Sequence, residues 1–288
     1  MSKFQHLLIL LALLISCSAV AEESVRYGAT LHESQWGAAG SRMQCILQHE
    51  IPHYGKALFT QNAGEGITFS LRRKMQLPRV KDVQLASVAP DWKHDRKDEV
   101  LWNIPLTGNS KRIDLNGEYS LRIFNELTQG MAPTFNYLDP VDGTMKVLTS
   151  ISPVWLRPAL AEFTTCIANL FPYNFEQIRH SRYYFDFGSS ALRPDTLEHV
   201  DLLAEFILEN KNIRRIKIDG HTDNVGRYGY NRSLGYRRAE ALLGHFIAKG
   251  IDEEKIKIKT YGERKPEASN KTPEGRAINR RTLVTLEQ

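Results

Sequence analysis

Two charged residues fifteen positions apart, Asp223 and Arg238, stand where chemistry could be done. Asp223 closes the run Gly220-His221-Thr222-Asp223, which leaves the end of an expected strand. Arg238 falls two turns into the helix expected next, its side chain directed back along that helix. One anion and one cation held a few ångströms apart suit a zwitterion. The carboxylate takes an ammonium, and the planar guanidinium fork takes a carboxylate through two parallel bonds. A strand-end Asp and a solvated helix Arg are also common on any protein surface, so the pair alone decides little.

Other constellations are weaker. Cys45, His49 and His53 recur every four residues, a spacing that could ligate zinc from a helix. Met43, Cys45 and Leu47 alternate with Gln44 and Gln48, however, and that favours a strand, so no metal is expected. His221 has no companion ligands at metal spacing and reads as a hydrogen-bonded structural histidine. Arg276 and Asn279-Arg280-Arg281 could touch nucleic acid, but neither interleaved aromatics nor a sustained basic stripe accompanies them. They frame the candidate site or serve as helix-end and sheet charges. The sequence contains no Gly-x-Ser-x-Gly, no phosphate-binding glycine loop and no defensible carboxylate dyad. Catalysis and a cofactor are therefore not expected.

The elements that must position these residues fall into two textures. From Tyr27 to Ser152 the pattern is mostly of period two: Ile67, Phe69 and Leu71 in one run, Tyr119, Leu121 and Ile123 in another. Turn signals punctuate these runs, among them Gly55-Lys56, Asn62-Ala63-Gly64, Leu106-Thr107-Gly108-Asn109, Leu115-Asn116-Gly117 and Val141-Asp142-Gly143. They predict antiparallel strands. A helix is expected from Pro158 to Leu170, and Phe171 to Asn174 reads as the linker. Beyond it, strands and helices alternate. Tyr183, Phe185 and Phe187 mark a strand, Pro194 to Asn210 a helix, and Ile213, Ile216 and Ile218 a strand. A helix capped by Asn231 and closed by Gly250 follows, then a strand at Ile256 and Ile258, a long polar loop, and a closing strand at 283–286. The order β-α-β-α-β-β implies helices laid against one sheet. The expected division is 1–21 as an export signal, 22–172 as a β-rich domain and 173–288 as an α/β domain.

The signal rests on Lys3, the apolar run Leu7 to Ile15 and the small-x-small pattern Ala19-Val20-Ala21. That run is too short to span a bilayer, which takes about 20 apolar residues. A second reading is open, because Leu14-Ile15-Ser16-Cys17 resembles a lipobox that would place a lipid on Cys17. In either case the protein is exported. Oxidising conditions then make a disulfide between Cys45 and Cys166 the default, with two buried thiols as the alternative.

Composition is that of an ordinary globular protein: 288 residues, 42% hydrophobic and 25% charged, with a formal charge of +5. Disorder, collagen and a membrane bundle are excluded. Removing 1–21 takes away one lysine and leaves +4. Residues 22–173 hold 16 basic and 16 acidic side chains, and 174–288 hold 21 and 17, so the whole excess lies in the second domain.

That domain resembles the OmpA-like peptidoglycan-binding family. The resemblance rests on ordered motifs: Phe185-Asp186-Phe187, Leu192-x-Pro194, the Gly-His-Thr-Asp run, and Asn231-x-x-Leu234-Gly235-x-x-Arg238-Ala239. Tyr261-Gly262-Glu263-x-x-Pro266 and Asn279-Arg280-Arg281 complete the set. The resemblance implies a diaminopimelate stem peptide as ligand, its ammonium on Asp223 and its carboxylate on Arg238. It also implies backbone contacts from Phe187, Gly188 and Ser189, and support from Thr222, Asn231, Leu234 and Asn279.

The first domain resembles the N-terminal domain of the flagellar motor protein MotY family. It does so through Trp36, the run Cys45-Ile-Leu-Gln-His-Glu-Ile-Pro-His-Tyr-Gly55, Ala57 to Phe59 and Ala63-Gly64. This implies a non-enzymatic periplasmic part of the T ring at the flagellar basal body. Its implied partners are MotX and the sodium-driven stator, and it would anchor the motor to peptidoglycan. A general envelope anchor, lipidated or not, and a wall-active enzyme carrying an OmpA-like targeting domain are the rival readings.

Overall fold

The computed structural model of the chain describes residues 23–74, 80–106 and 112–288. The expected export signal, Cys17 and the turn residues Thr107 to Asn109 lie outside the described residues.

Two five-stranded sheets build the N-terminal domain. The first is ordered β2-β3-β4-β5-β8, from β2 (Gln35–Gly40), β3 (Gln44–Ile51), β4 (Gly55–Asn62), β5 (Ile67–Arg73) and β8 (Arg112–Leu115). The second is ordered β1-β10-β9-β6-β7, from β1 (Ser24–Tyr27), β6 (Asp82–Val88), β7 (Glu99–Pro105), β9 (Ala132–Leu138) and β10 (Lys146–Ser150). Every strand pair is antiparallel except β1 with β10, which run parallel. Period-two alternation buries one face of each strand, and one core joins the sheets. Phe69 of the first stacks on Phe135 of the second, ring centroids 5.4 Å apart.

The run Tyr119, Leu121, Ile123, expected as a strand, is helix α1 (Gly117–Thr128). Its buried residues are Ser120, Ile123, Glu126 and Leu127, a helical stripe, while Leu121 is 52% exposed. The Leu-Asn-Gly turn signal is the entry to that helix, with Gly117 in the left-handed region at φ 54°. Polar satisfaction fixes the choice. Ser120 Oγ donates to the Leu115 carbonyl, and the buried Glu126 carboxylate accepts from Ser87 Oγ at 2.6 Å and Arg122 Nε at 2.7 Å.

Helix α2 (Leu156–Ala168) starts two residues before the expected Pro158. Cys166 on α2 is bonded to Cys45 on β3, their Cα atoms 6.0 Å apart, within the ordinary disulfide range. A Cβ on Gly40 would lie 2.5 Å from Cys166 Sγ, so only glycine lets β2 pass the bond. Cys45 and His49 are four apart on a strand, with the thiol committed to the disulfide and the buried imidazole stacked on Trp36 at 4.6 Å.

Phe171 to Asn174 is packed rather than loose. Phe171 is buried with its ring edge-on to Phe206 at 5.3 Å, and its N–H donates to the Arg42 carbonyl. The Arg42 guanidinium lies over the Phe171 ring at 4.1 Å and pairs with Glu205 at 2.6 Å. Gly64, at φ 67°, sits where a Cβ would come within 2.4 Å of the Asn174 nitrogen. Two hairpin turns of the first domain thus clasp the start of the second.

The C-terminal domain opens with the short helix α3 (Phe175–Ile178), capped by a reciprocal Asn174–Gln177 box. It continues as β11 (His180–Tyr184), α4 (Pro194–Glu209), β12 (Arg215–His221), α5 (Tyr228–Ala248), β13 (Ile256–Gly262), α6 (Pro273–Asn279) and β14 (Arg281–Glu287). The sheet order is β11-β14-β12-β13, with β12 and β13 parallel. Val200, Leu203 and Ile207 of α4 and Ala239, Leu242 and Phe246 of α5 are buried with Ile216, Ile218, Val284 and Leu286 of the sheet. Helix α6 lies within the stretch expected as a loop. Its signal is local: Thr272 accepts from the Gly275 N–H at 3.1 Å, and Pro273 supplies the first helical residue.

Candidate functional site

Asp223 lies two residues past the end of β12, in the turn that leads into α5. It is 4% exposed. One carboxylate oxygen accepts from the Val225 N–H at 3.1 Å, and the other meets Arg280 Nη1 at 3.1 Å. Arg280 comes from the junction of α6 and β14, and its Nε also donates to the Phe185 carbonyl at 3.2 Å. The run 279–281, read from sequence only as framing the site, therefore supplies the direct partner of Asp223. The signal was there in three consecutive polar residues before a closing strand, but nothing in the spacing told Arg280 from Arg281.

Arg238 is fully buried. Its Nε donates to the Ser189 carbonyl at 2.8 Å, Nη1 to the His221 carbonyl at 2.9 Å and Nη2 to the Asp186 carbonyl at 3.1 Å. Its guanidinium also rests over the Phe185 ring at 5.1 Å. Three of the five N–H donors are thus spent on main chain. Burial pushes its pKa down to about 10 against the opposing pull of Asp223, so the group stays cationic at neutral pH. The residue expected to offer an open fork is a keystone that holds the 186–189 loop against β12 and α5, with two N–H groups in reserve.

The 186–189 loop is placed by that anchor. Phe187 is 67% exposed, Gly188 takes φ 68°, and Ser189 N–H closes a turn onto the Asp186 carbonyl at 3.1 Å. Thr222 is buried, with its N–H donating to the Gly262 carbonyl and its hydroxyl without a hydrogen-bond partner. Asn231 is not the cap of α5, which begins three residues earlier at Tyr228 behind Arg227. It is buried one turn in, where Nδ2 donates to Glu263 at 2.5 Å and Oδ1 has no partner. Leu234 is buried beneath the same helix. The geometry brings together Asp223, Arg280, Arg238, Thr222 and Asn231, with the 186–189 loop alongside.

Asn279 stands apart from them. Its Oδ1 accepts from Glu267 N–H at 2.7 Å and Ala268 N–H at 3.0 Å, and its Nδ2 donates to Ala268 O and Asn270 Oδ1, both at 2.8 Å. All four of its bonds are made within the 267–270 loop, which leaves none for a ligand. His221 stacks on Tyr261 at 5.3 Å, and burial, reinforced by Arg281 and Lys265, pushes its pKa down to about 4. The ring is neutral at physiological pH.

The arrangement offers one screened carboxylate between two cations, plus two buried polar oxygens with unused capacity. It can take a ligand ammonium on Asp223 and a ligand carboxylate on the exposed edge of Arg280. It holds no nucleophile paired with a base.

A β-α-β-α-β-α-β domain with this Asp/Arg arrangement at the strand ends, joined behind a β-rich domain, defines a two-domain protein with a C-terminal domain of the OmpA-like class. Residues 184–280 match the OmpA family and residues 27–172 the MotY N-terminal domain. The chain belongs to the MotY family. It is 30% identical over 278 residues to the sodium-type flagellar protein MotY of Vibrio parahaemolyticus, covering 95% of this chain and 94% of that one. The second domain alone is 33% identical to the peptidoglycan-associated lipoprotein of Pseudomonas putida, over 34% of this chain and 58% of that protein. Among solved structures, the peptidoglycan-associated lipoprotein of Burkholderia pseudomallei matches 37% of this chain and 89% of its own, at 28% identity and a TM-score of 0.36.

Proposed function

We propose that this chain is a non-enzymatic periplasmic component of the flagellar motor, built into the T ring. In this role it ties the stator and basal body to peptidoglycan. The observation that carries the reading is the match to a sodium-type MotY across both domains in the same order, over 95% of the chain. The C-terminal site supports it, since a carboxylate set between cations suits the zwitterionic end of a diaminopimelate stem peptide. The N-terminal domain, balanced in charge, faces MotX and the basal body, and repetition around a ring lets each wall contact be weak on its own.

Two experiments test this. Deletion of the gene should leave filaments assembled but abolish or cripple swimming, and basal-body images should lose ring density; normal swimming with an intact ring refutes the motor role. Sedimentation with purified sacculi should retain the unaltered protein and release Asp223→Ala. Equal retention of both refutes the wall site.

A further inference from the structure

The positive excess of the chain does not sit at the Asp223 site. It sits on the open face of the C-terminal sheet, opposite α4 and α5. Strand alternation places Arg182, Arg215, Lys217, Lys257, Lys259 and Arg281 on that face, and Lys265 joins them from the loop after β13. The acids there are Asp219, Glu267 and Glu287, so seven cations stand against three carboxylates, a net of +4. No described helix covers this face, and all of these cations except the buried Arg281 are exposed or half-exposed.

The pairing within the face is lopsided. Arg182 and Arg281 both pair with Glu267, at 3.1 and 2.7 Å, and Arg215 and Lys217 both pair with Glu287. Among the described residues, Lys257, Lys259 and Lys265 have no carboxylate within 4 Å, and all three lie on or just after the edge strand β13. Lys259 Nζ stands 4.9 Å and Lys265 Nζ 4.2 Å from the Tyr261 ring centre, a stack that directs both ammonium groups to one spot on an otherwise polar sheet. Asp219 lies beside them on the same face; burial raises its pKa, and the neighbouring Lys259, Lys265 and Lys217 oppose that rise.

This patch is continuous with the wall site. Gly262 accepts from Thr222 N–H, Glu263 holds Asn231, and the Lys265 carbonyl accepts from Arg281 Nη2 at 3.3 Å, so residues 262–265 form the ridge between patch and Asp223. We propose that Lys257, Lys259 and Lys265 form a second, electrostatic contact for the same polymer, taking free carboxylates of a neighbouring stem peptide while Asp223 holds the first. Charge complementarity and continuity across the ridge select this occupant. The inference rests on the wall-binding reading given above and extends it.

The test is co-sedimentation of the full exported chain with purified sacculi across a salt series. The arms are unaltered protein, the Lys257→Glu/Lys259→Glu/Lys265→Glu triple variant, the corresponding triple Gln variant, and Asp223→Ala. At low salt the Glu triple should bind at least about tenfold more weakly and lose most of its salt dependence, with the Gln triple between. By about 0.5 M salt, where the Debye length falls to a few ångströms, the Glu triple and the unaltered protein should converge. Sacculi whose carboxylates are blocked as amides should remove the salt-dependent part for the unaltered protein. A Glu triple that binds as tightly as the unaltered protein and with the same salt slope overturns the proposal, and then an acidic protein becomes the occupant to pursue. Loss of binding in Asp223→Ala beside an unaffected triple sinks this inference alone; full binding by Asp223→Ala sinks the wall site itself. Unchanged melting temperatures of the triple variants exclude misfolding as the cause.

Discussion

Breaking the bond between Cys45 and Cys166 should unfold the N-terminal domain at a markedly lower temperature. The bond closes a loop spanning 121 positions. In the chain-entropy account a loop of that length contributes about 5 kcal/mol at 25 °C, because the crosslink removes so many unfolded conformations. Its Cα separation of 6.0 Å is unstrained, so little of that is offset in the folded state. For a domain of about 150 residues, one kcal/mol corresponds to roughly 2–4 °C, which gives a drop on the order of 10–20 °C. The perturbation is Cys45→Ala with Cys166→Ala, or reduction of the unaltered protein. The reporter is built in: all four tryptophans, Trp36, Trp92, Trp102 and Trp155, belong to the N-terminal domain. Tryptophan fluorescence therefore follows that domain alone, while far-ultraviolet circular dichroism follows both. A fluorescence transition that moves by less than about 3 °C would refute the reasoning, since it would mean the unfolded chain gains almost nothing from release of the loop.

Other outcomes follow from the same geometry. Arg280→Gln should weaken sacculus binding less than Asp223→Ala, because Arg238 still faces the carboxylate; equal losses in sedimentation would show that the ion pair acts as one unit. Asn279→Ala removes four hydrogen bonds from the 267–270 loop and should cost about 2–4 kcal/mol in urea unfolding, with proteolytic cleavage appearing in that loop. Gly64→Val has no space against Asn174 and should free the two domains from each other, seen as a larger radius of gyration in solution scattering with each domain still folded. His49 and His221 are both held near pKa 4 by burial, below the ordinary value of 6.5. The unfolded chain therefore binds their protons first, and stability should be fully present above about pH 6.5 and fall as pH drops toward 4, by up to about 3 kcal/mol for each ring. Urea titrations at pH 7.5, 6 and 5 measure this, and His49→Gln should flatten part of the slope.

Much of the second domain was legible because its signals are local and agree with each other. Pro194 opens α4 where an apolar stripe begins, and Ile216 and Ile218 alternate along β12 as a half-buried strand must. The errors share a cause: a residue whose role is set by something distant in sequence. Tyr119, Leu121 and Ile123 alternate by chance, and what decides for a helix is Glu126 reaching Ser87 from 39 positions away. Asn231 has the side chain of a cap but stands one turn inside α5 with its Nδ2 on Glu263, and Asn279 has that of a ligand but is spent on its own loop. Arg238 was legible as a functional position, yet its burial against the carbonyls of Asp186, Ser189 and His221 was not, since no spacing reveals which donors a guanidinium has already given away.

The clasp between the domains has a mechanical consequence. A flexible linker would make this chain a tether, slack until stretched. Here Arg42 is stacked on Phe171 and paired with Glu205 of α4, and Gly64 is seated against Asn174, so tension crosses between the domains at two points besides the covalent chain. From there the disulfide passes it from β3 directly into α2. A pull at the strand ends near Asp223 is carried as shear through a stiff body, and its compliance is that of folded protein rather than of loose polypeptide.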